Sequence, residues 1–200
     1  MRLLSMLAAA MVLLAGCAEL GDIYDAKPSP PIEEQVAELE VRIFRLIQDE
    51  RRKIDPEAKV LVLDSLLIGA ARERARDMAT KSYFAHKGPD GRVAADTLME
   101  RDPAFHGLLG ENIAMQYYAK GAGIDAEAFA RRFVETWLAS PEHRKNLAFT
   151  HYDRTGVGAA ANGEAIYVAQ LFLTDLGMKP AAQPREEEDA GMRTLTPNGE

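Results

Sequence analysis

The sequence holds one cysteine, at position 17, one tryptophan and four histidines in 200 residues. A lone thiol excludes an intramolecular disulfide and any zinc site built from paired cysteines. Basic residues are in deficit as well: 24 Lys and Arg stand against 31 Asp and Glu, for a net charge of −7. That balance argues against non-specific nucleic-acid binding, which needs basic side chains to displace counterions. It also argues against attachment to an anionic bilayer through a basic patch. The apolar stretch 3–14, broken only by Ser5, is too short for a membrane-spanning helix. No internal repeat is visible, which removes solenoids and arrays. What is present suffices for a core, since 47% of the residues are hydrophobic. The length fits one domain with flanking segments.

Met1-Arg2 followed by the apolar stretch reads as an export signal over residues 1–16. It ends in Leu14-Ala15-Gly16-Cys17, which looks like a lipobox. The expectation is cleavage before Cys17, lipidation of its thiol with palmitate-type acyl chains, and retention at the membrane through that anchor. The place expected is the cell envelope. Ala18 after the cysteine favours the outer membrane over the inner where the host has both. Residues 17–31 then form the anchor and a stiff spacer carrying Asp25-Ala26-Lys27-Pro28-Ser29-Pro30-Pro31. The soluble domain is expected over 32–177. A polar, acidic tail fills 178–200, including Glu186-Glu187-Glu188-Asp189, and is expected to lack structure of its own.

Within the domain, apolar spacing at Val36, Leu39, Ile43, Phe44, Leu46 and Ile47 predicts a helix over 32–53. Asp64 is placed to cap a second helix running to about Lys81, with Leu67, Ala70, Ala71, Ala75, Met78 and Ala79 on a small-residue face. The residues between them, Arg72, Glu73, Arg74, Arg76 and Asp77, are assigned to the solvated side. Gly88-Pro89-Asp90-Gly91 is a turn. A third helix is expected over 125–139, with Phe129, Phe133 and Trp137 on one buried stripe. Ser140-Pro141-Glu142 then carries the marks of a new helix start. Two strands, 155–161 and 165–173, flank the hairpin signal Asn162-Gly163.

Four stretches stand out together. They are Tyr83-Phe84-Ala85-His86 leading into the turn; Gly110-Glu111-Asn112-Ile113-Ala114; Trp137 with Ser140-Pro141, His143-Arg144 and Asn146-Leu147; and Gly156-Val157-Gly158. In this order and spacing, over roughly residues 40–173, they resemble the CAP (SCP/PR-1-like, cysteine-rich secretory protein) superfamily, and its bacterial branch in particular. The resemblance implies an α+β fold, a three-layer α-β-α sandwich with a small, largely antiparallel central sheet. It also implies a cleft lined by two histidines and, in many members, two glutamates. The first histidine falls on His86, the first glutamate on Glu111 and the second histidine on His143. The position of the second glutamate is occupied by Ser140, with Glu142 two residues further on. The cleft is therefore assigned to His86, Glu111, Asn112, Ser140, Glu142 and His143.

Two imidazoles and a carboxylate converging in a cleft permit a divalent metal, with zinc or copper suited to imidazole, held by His86, Glu111 and His143. The competing reading is a structural tie in which Glu111 accepts hydrogen bonds and pins loops. Nucleophiles are poorly represented. Cys17 is consumed by lipidation, and Ser140 is better explained as a helix cap than as an activated hydroxyl. Asn112 and Asn146 are read as ties to backbone groups, and His106 and His151 as ordinary surface residues. The functional expectation is a surface-anchored binding module whose partners are the membrane, through Cys17, and a small hydrophobic or cell-wall-derived ligand, with or without a metal. The alternative is a metal-assisted hydrolase acting on peptide or cell-wall material with Glu111 as general base. The carboxylate missing at Ser140 weighs against that alternative.

Overall fold

In the computed structural model, which describes residues 30–119 and 123–176, the central strand is buried on both faces. This strand, β4 (Ala165–Asp175), follows β3 (Arg154–Ala161), and both lie beside β2 (Gly107–Tyr117) and the two-residue β1 (Val62–Leu63) in a four-stranded sheet of order β1-β3-β4-β2. β4 is antiparallel to both of its neighbours, and only the short β1–β3 pair is parallel. Successive strand side chains point to opposite faces. Ile166, Val168 and Phe172 therefore enter one core, while Ala165, Tyr167, Ala169, Leu171 and Leu173 enter another.

Helices supply the outer layers. On the first face lie α1 (Ile32–Ile54), α4 (Ala126–Ala139) and α5 (Pro141–Ala148), contributing Leu39, Ile43, Ile47, Phe129, Phe133, Trp137 and Leu147. On the second lie α2 (Ser65–Lys81) and α3 (Ala94–Arg101), contributing Leu67, Ala70, Ala71, Met78 and Leu98. This is the three-layer sandwich with a small, largely antiparallel sheet that the sequence motifs implied. The expected helix starts are in place. Asp64 accepts from the amides of Leu66 and Leu67, Asp125 from that of Ala128, and Ser140 caps α5 with Pro141 at its first position. Export signal, Cys17, spacer to residue 29 and tail from 177 lie outside the described residues. No helix among those described is long and apolar enough to cross a membrane.

Gly156 and Gly158 explain why α2 needs a small-residue face. A Cβ on Gly156 would sit 2.2 Å from the Leu67 carbonyl carbon, and one on Gly158 would sit 2.1 Å from the Arg72 amide nitrogen. The α2 backbone thus rests directly on β3. On the opposite side Arg51 is 1% exposed and donates to the carbonyls of Leu147, Phe149, Lys59 and Tyr152. One buried cation so ties α1 to the end of α5 and to the segments that follow each of these helices, where unpaired carbonyls would otherwise be costly.

Candidate functional site

The site straddles β2, which lies at the edge of the sheet and places neighbouring side chains on opposite faces. Glu111 turns toward α2, and Asn112 turns toward α4 and α5. Gly110, just before them, has no side chain because the space is taken: a Cβ there would lie 2.4 Å from the Tyr152 hydroxyl oxygen. Helices on the first face also close the open edge of β2. Trp137 donates its indole N–H to the Ile113 carbonyl at 3.0 Å, and Asn146 Nδ2 donates to the Glu111 carbonyl at 3.1 Å. An edge strand covered in this way is held in register and denied to foreign strands.

His86 arrives from the α2 side. Helix α2 ends at Ser82, whose left-handed φ of 53° turns the chain into Tyr83-Phe84-Ala85-His86. The turn that follows forms as expected, with Gly91 donating to the Gly88 carbonyl at 2.9 Å. His86 Nδ1 lies 2.7 Å from Glu111 Oε2, with the His86 side chain 54% exposed and that of Glu111 only 12% exposed. In a neutral imidazole the nitrogen facing a carboxylate carries the proton, which leaves Nε2 with its lone pair.

His143 arrives from the other side, on the first turn of α5. Its amide is 3.5 Å from Ser140 Oγ, and its carbonyl accepts from Asn112 Nδ2 at 3.2 Å. Asn146 Nδ2 also reaches Asn112 Oδ1 at 2.8 Å. The two asparagines thus fasten α5 to β2, as expected of them, and Asn112 is fully buried. The His143 ring stands 6.0 Å from that of His86, centroid to centroid, at an interplanar angle of 55°. Burial holds the His143 imidazole below its ordinary value, the neighbouring His86 ring lowers it further, and Glu111 opposes both.

The residue the sequence reading misplaced is Arg74. Assigned to the solvated side of α2, it is 7% exposed and points under the site. Its Nε lies 3.5 Å from Glu111 Oε1, and its two terminal nitrogens donate to the Tyr83 hydroxyl at 2.9 Å and the Ala85 carbonyl at 2.7 Å. Residue type masked it: an arginine among charged neighbours reads as solvated, although Leu67, Ala70, Ala71 and Met78 lie seven, four and three residues before it and four after, on one helical face. A cue lay in its position on that face, four residues before Met78 and one before Ala75.

Three cleft assignments change meaning. Glu142 is 79% exposed and pairs with Lys145 of its own helix at 2.8 Å, so it does not replace the carboxylate missing at Ser140. Ser140 serves as a cap. Glu111 has one oxygen on His86 and the other toward Arg74, so it stands behind His86 rather than beside it. Among the described residues no three His, Cys, Asp or Glu side chains are grouped to hold a metal ion. What the site offers is two imidazoles with a carboxylate orienting one of them, and imidazole is a donor type suited to zinc or copper. His106 and His151 are exposed, away from this cluster, with His151 resting on Phe149 at 5.3 Å between ring centroids.

Comparison with known proteins bears on the fold and the family. Residues 51–173 match the family model described as CAP, the cysteine-rich secretory protein family. The uncharacterized protein YkwD of Bacillus subtilis is 31% identical over 137 residues, 68% of this chain but 48% of that protein. The chain therefore spans about half the length of this curated relative. Among solved structures, an outer surface protein of Borrelia burgdorferi superposes with a TM-score of 0.56 at 22% identity, covering 73% of this chain and 96% of that one. An extracellular SCP-domain protein of Bacillus anthracis gives 0.55 at 24% identity, covering 72% of this chain and 45% of that one. With its four motifs, the sandwich that holds them and the family match over residues 51–173, the chain belongs to the CAP (cysteine-rich secretory protein) family.

Proposed function

We propose that this protein is a binding module of the cell envelope, anchored through Cys17, whose cleft takes its ligand on the imidazoles of His86 and His143. The observation that carries this reading is the pairing of the two rings at 6.0 Å, with His86 half-exposed and braced from behind by Glu111. A metal held there would rest on these two histidines and supply an electron-pair acceptor for a polar group of the ligand. Phe84, two residues before His86, is 48% exposed and offers apolar surface in the same loop. That combination suits an envelope-derived molecule with one apolar and one polar end.

Hydrolysis is the weaker reading. Glu111 is the expected general base, but a base needs a free atom within reach of the water it activates, and both Glu111 oxygens face protein groups. Ser140 Oγ is engaged as a cap toward the His143 amide. Calorimetric zinc titration tests the binding site. His86→Ala and His143→Ala should each remove most of the affinity, the double variant should lose little more, and His106→Ala should behave as wild type. Equal loss in His106→Ala, or no binding by the wild type, overturns the metal-bearing form. The anchor is tested separately: fatty-acid labelling should vanish in Cys17→Ser, and labelling that persists would refute lipidation there.

A further inference from the structure

Arg74 is a buried cation whose hydrogen bonds all serve the segment that carries His86. One terminal nitrogen donates to the Tyr83 hydroxyl at 2.9 Å and the other to the Ala85 carbonyl at 2.7 Å. Tyr83 in turn donates to Asp77 Oδ2 at 2.6 Å, and Asp77 Oδ1 holds Lys81 Nζ at 2.7 Å. The guanidinium is thereby fixed from two sides, and its remaining edge, Nε, faces Glu111 Oε1 at 3.5 Å. Among the described residues neither of these two buried atoms has a hydrogen-bond partner. The ion pair is therefore what compensates each of them. Buried charges left uncompensated are expensive, so Glu111 is held with Oε1 toward Arg74 and Oε2 toward His86 Nδ1.

We infer that Arg74 is a positioning residue which, through Glu111, fixes His86 in the tautomer that carries its proton on Nδ1 and turns the Nε2 lone pair to the cleft. Arg74 touches no ligand in this scheme. It sets which nitrogen of His86 is offered, and it withholds the Glu111 carboxylate from the cleft. The site then favours ligands that accept imidazole nitrogen over ions such as calcium or magnesium that call for several oxygens. The inference deepens the two-imidazole reading and rests on it only for what the lone pair finally takes.

The test is the imidazole nitrogen spectrum of the full chain, 15N-labelled and metal-free, recorded at about pH 8, above the reference histidine value of about 6.5. Wild type should show His86 as a single form, protonated on Nδ1. Arg74→Met, which keeps the aliphatic stem but removes the charge and the donors, should lose that single form and show both tautomers in exchange. Arg74→Gln serves if the methionine variant does not fold. A wild type protonated on Nε2 overturns the inference. So does a folded Arg74 variant that melts earlier yet keeps the wild-type tautomer, because that is the mark of a purely structural residue. The spectrum is read without metal, so a protein that takes no zinc would fail the binding reading while leaving this one intact.

Discussion

Trp137 and Ile113 are joined by a hydrogen bond from the indole N–H to the backbone carbonyl, 3.0 Å long and fully inside the protein. The tryptophan is thus both the last member of the α4 stripe and a cap on the edge of the strand that carries Glu111. Core packing and site geometry meet in this one side chain.

Trp137→Ala should cost about 3–5 kcal/mol in denaturant unfolding, the usual range for truncating a buried aromatic. Trp137→Phe separates the two roles. It keeps most of the apolar volume but leaves the Ile113 carbonyl unpaired, at a cost of about 1–3 kcal/mol. A phenylalanine variant as stable as wild type would show that the hydrogen bond contributes nothing measurable. A near-neutral alanine variant would mean that Trp137 is not the buried element described above.

Gly158→Ala should destabilise by about 1–3 kcal/mol or more, since overpacking forces backbone shifts. The α2 backbone is the obstacle, and backbone cannot step aside as a flexible side chain can. Gly163→Ala is the useful comparison. Its φ of +91° strains any L-residue, yet nothing lies within 4 Å of the added carbon. It should cost only the conformational penalty, about 1 kcal/mol. Equal effects at the two positions would contradict the direct seating of α2 on β3.

Much of the sandwich is legible in the sequence because its signals are local. Asp64, Asp125 and Ser140-Pro141 announce helix starts through side chains that bond amides within the next turn. The alternation in β4 and the Asn162-Gly163 turn announce the hairpin, although the loop closes over three residues, with Asn162 donating to the Ala165 carbonyl. What escapes is decided by distant contacts. α3 starts at Val93, which offers no capping oxygen of its own, and Asp96 Oδ2 has to accept the Val93 amide at 2.8 Å. β2 contains Gly110, Glu111 and Asn112, poor strand formers that fit only because Tyr152, Arg74 and Asn146 occupy the space around them. The members of the site are legible as a motif. Their division of labour is not, because a glutamate that binds a metal and one that orients a histidine have the same sequence.

The His143 imidazole gives the metal-free protein a pH dependence with a definite sign. Burial is the main cause of its lowered value, and the proximity of His86 adds to it. The unfolded chain protonates His143 near the ordinary histidine value of about 6.5, whereas the folded protein resists until the pH is lower. Between those two points the unfolded state binds more protons, so stability is full above about pH 6.5 and falls as the solution is acidified through the folded value. His143→Gln removes the titrating group while keeping a polar side chain. Denaturant midpoints measured from about pH 8 down to about pH 5 should therefore slope less steeply in His143→Gln than in wild type. If His143→Gln loses stability on acidification as steeply as wild type, the acid sensitivity lies elsewhere, and the ring is less desolvated than its place between α5 and β2 implies.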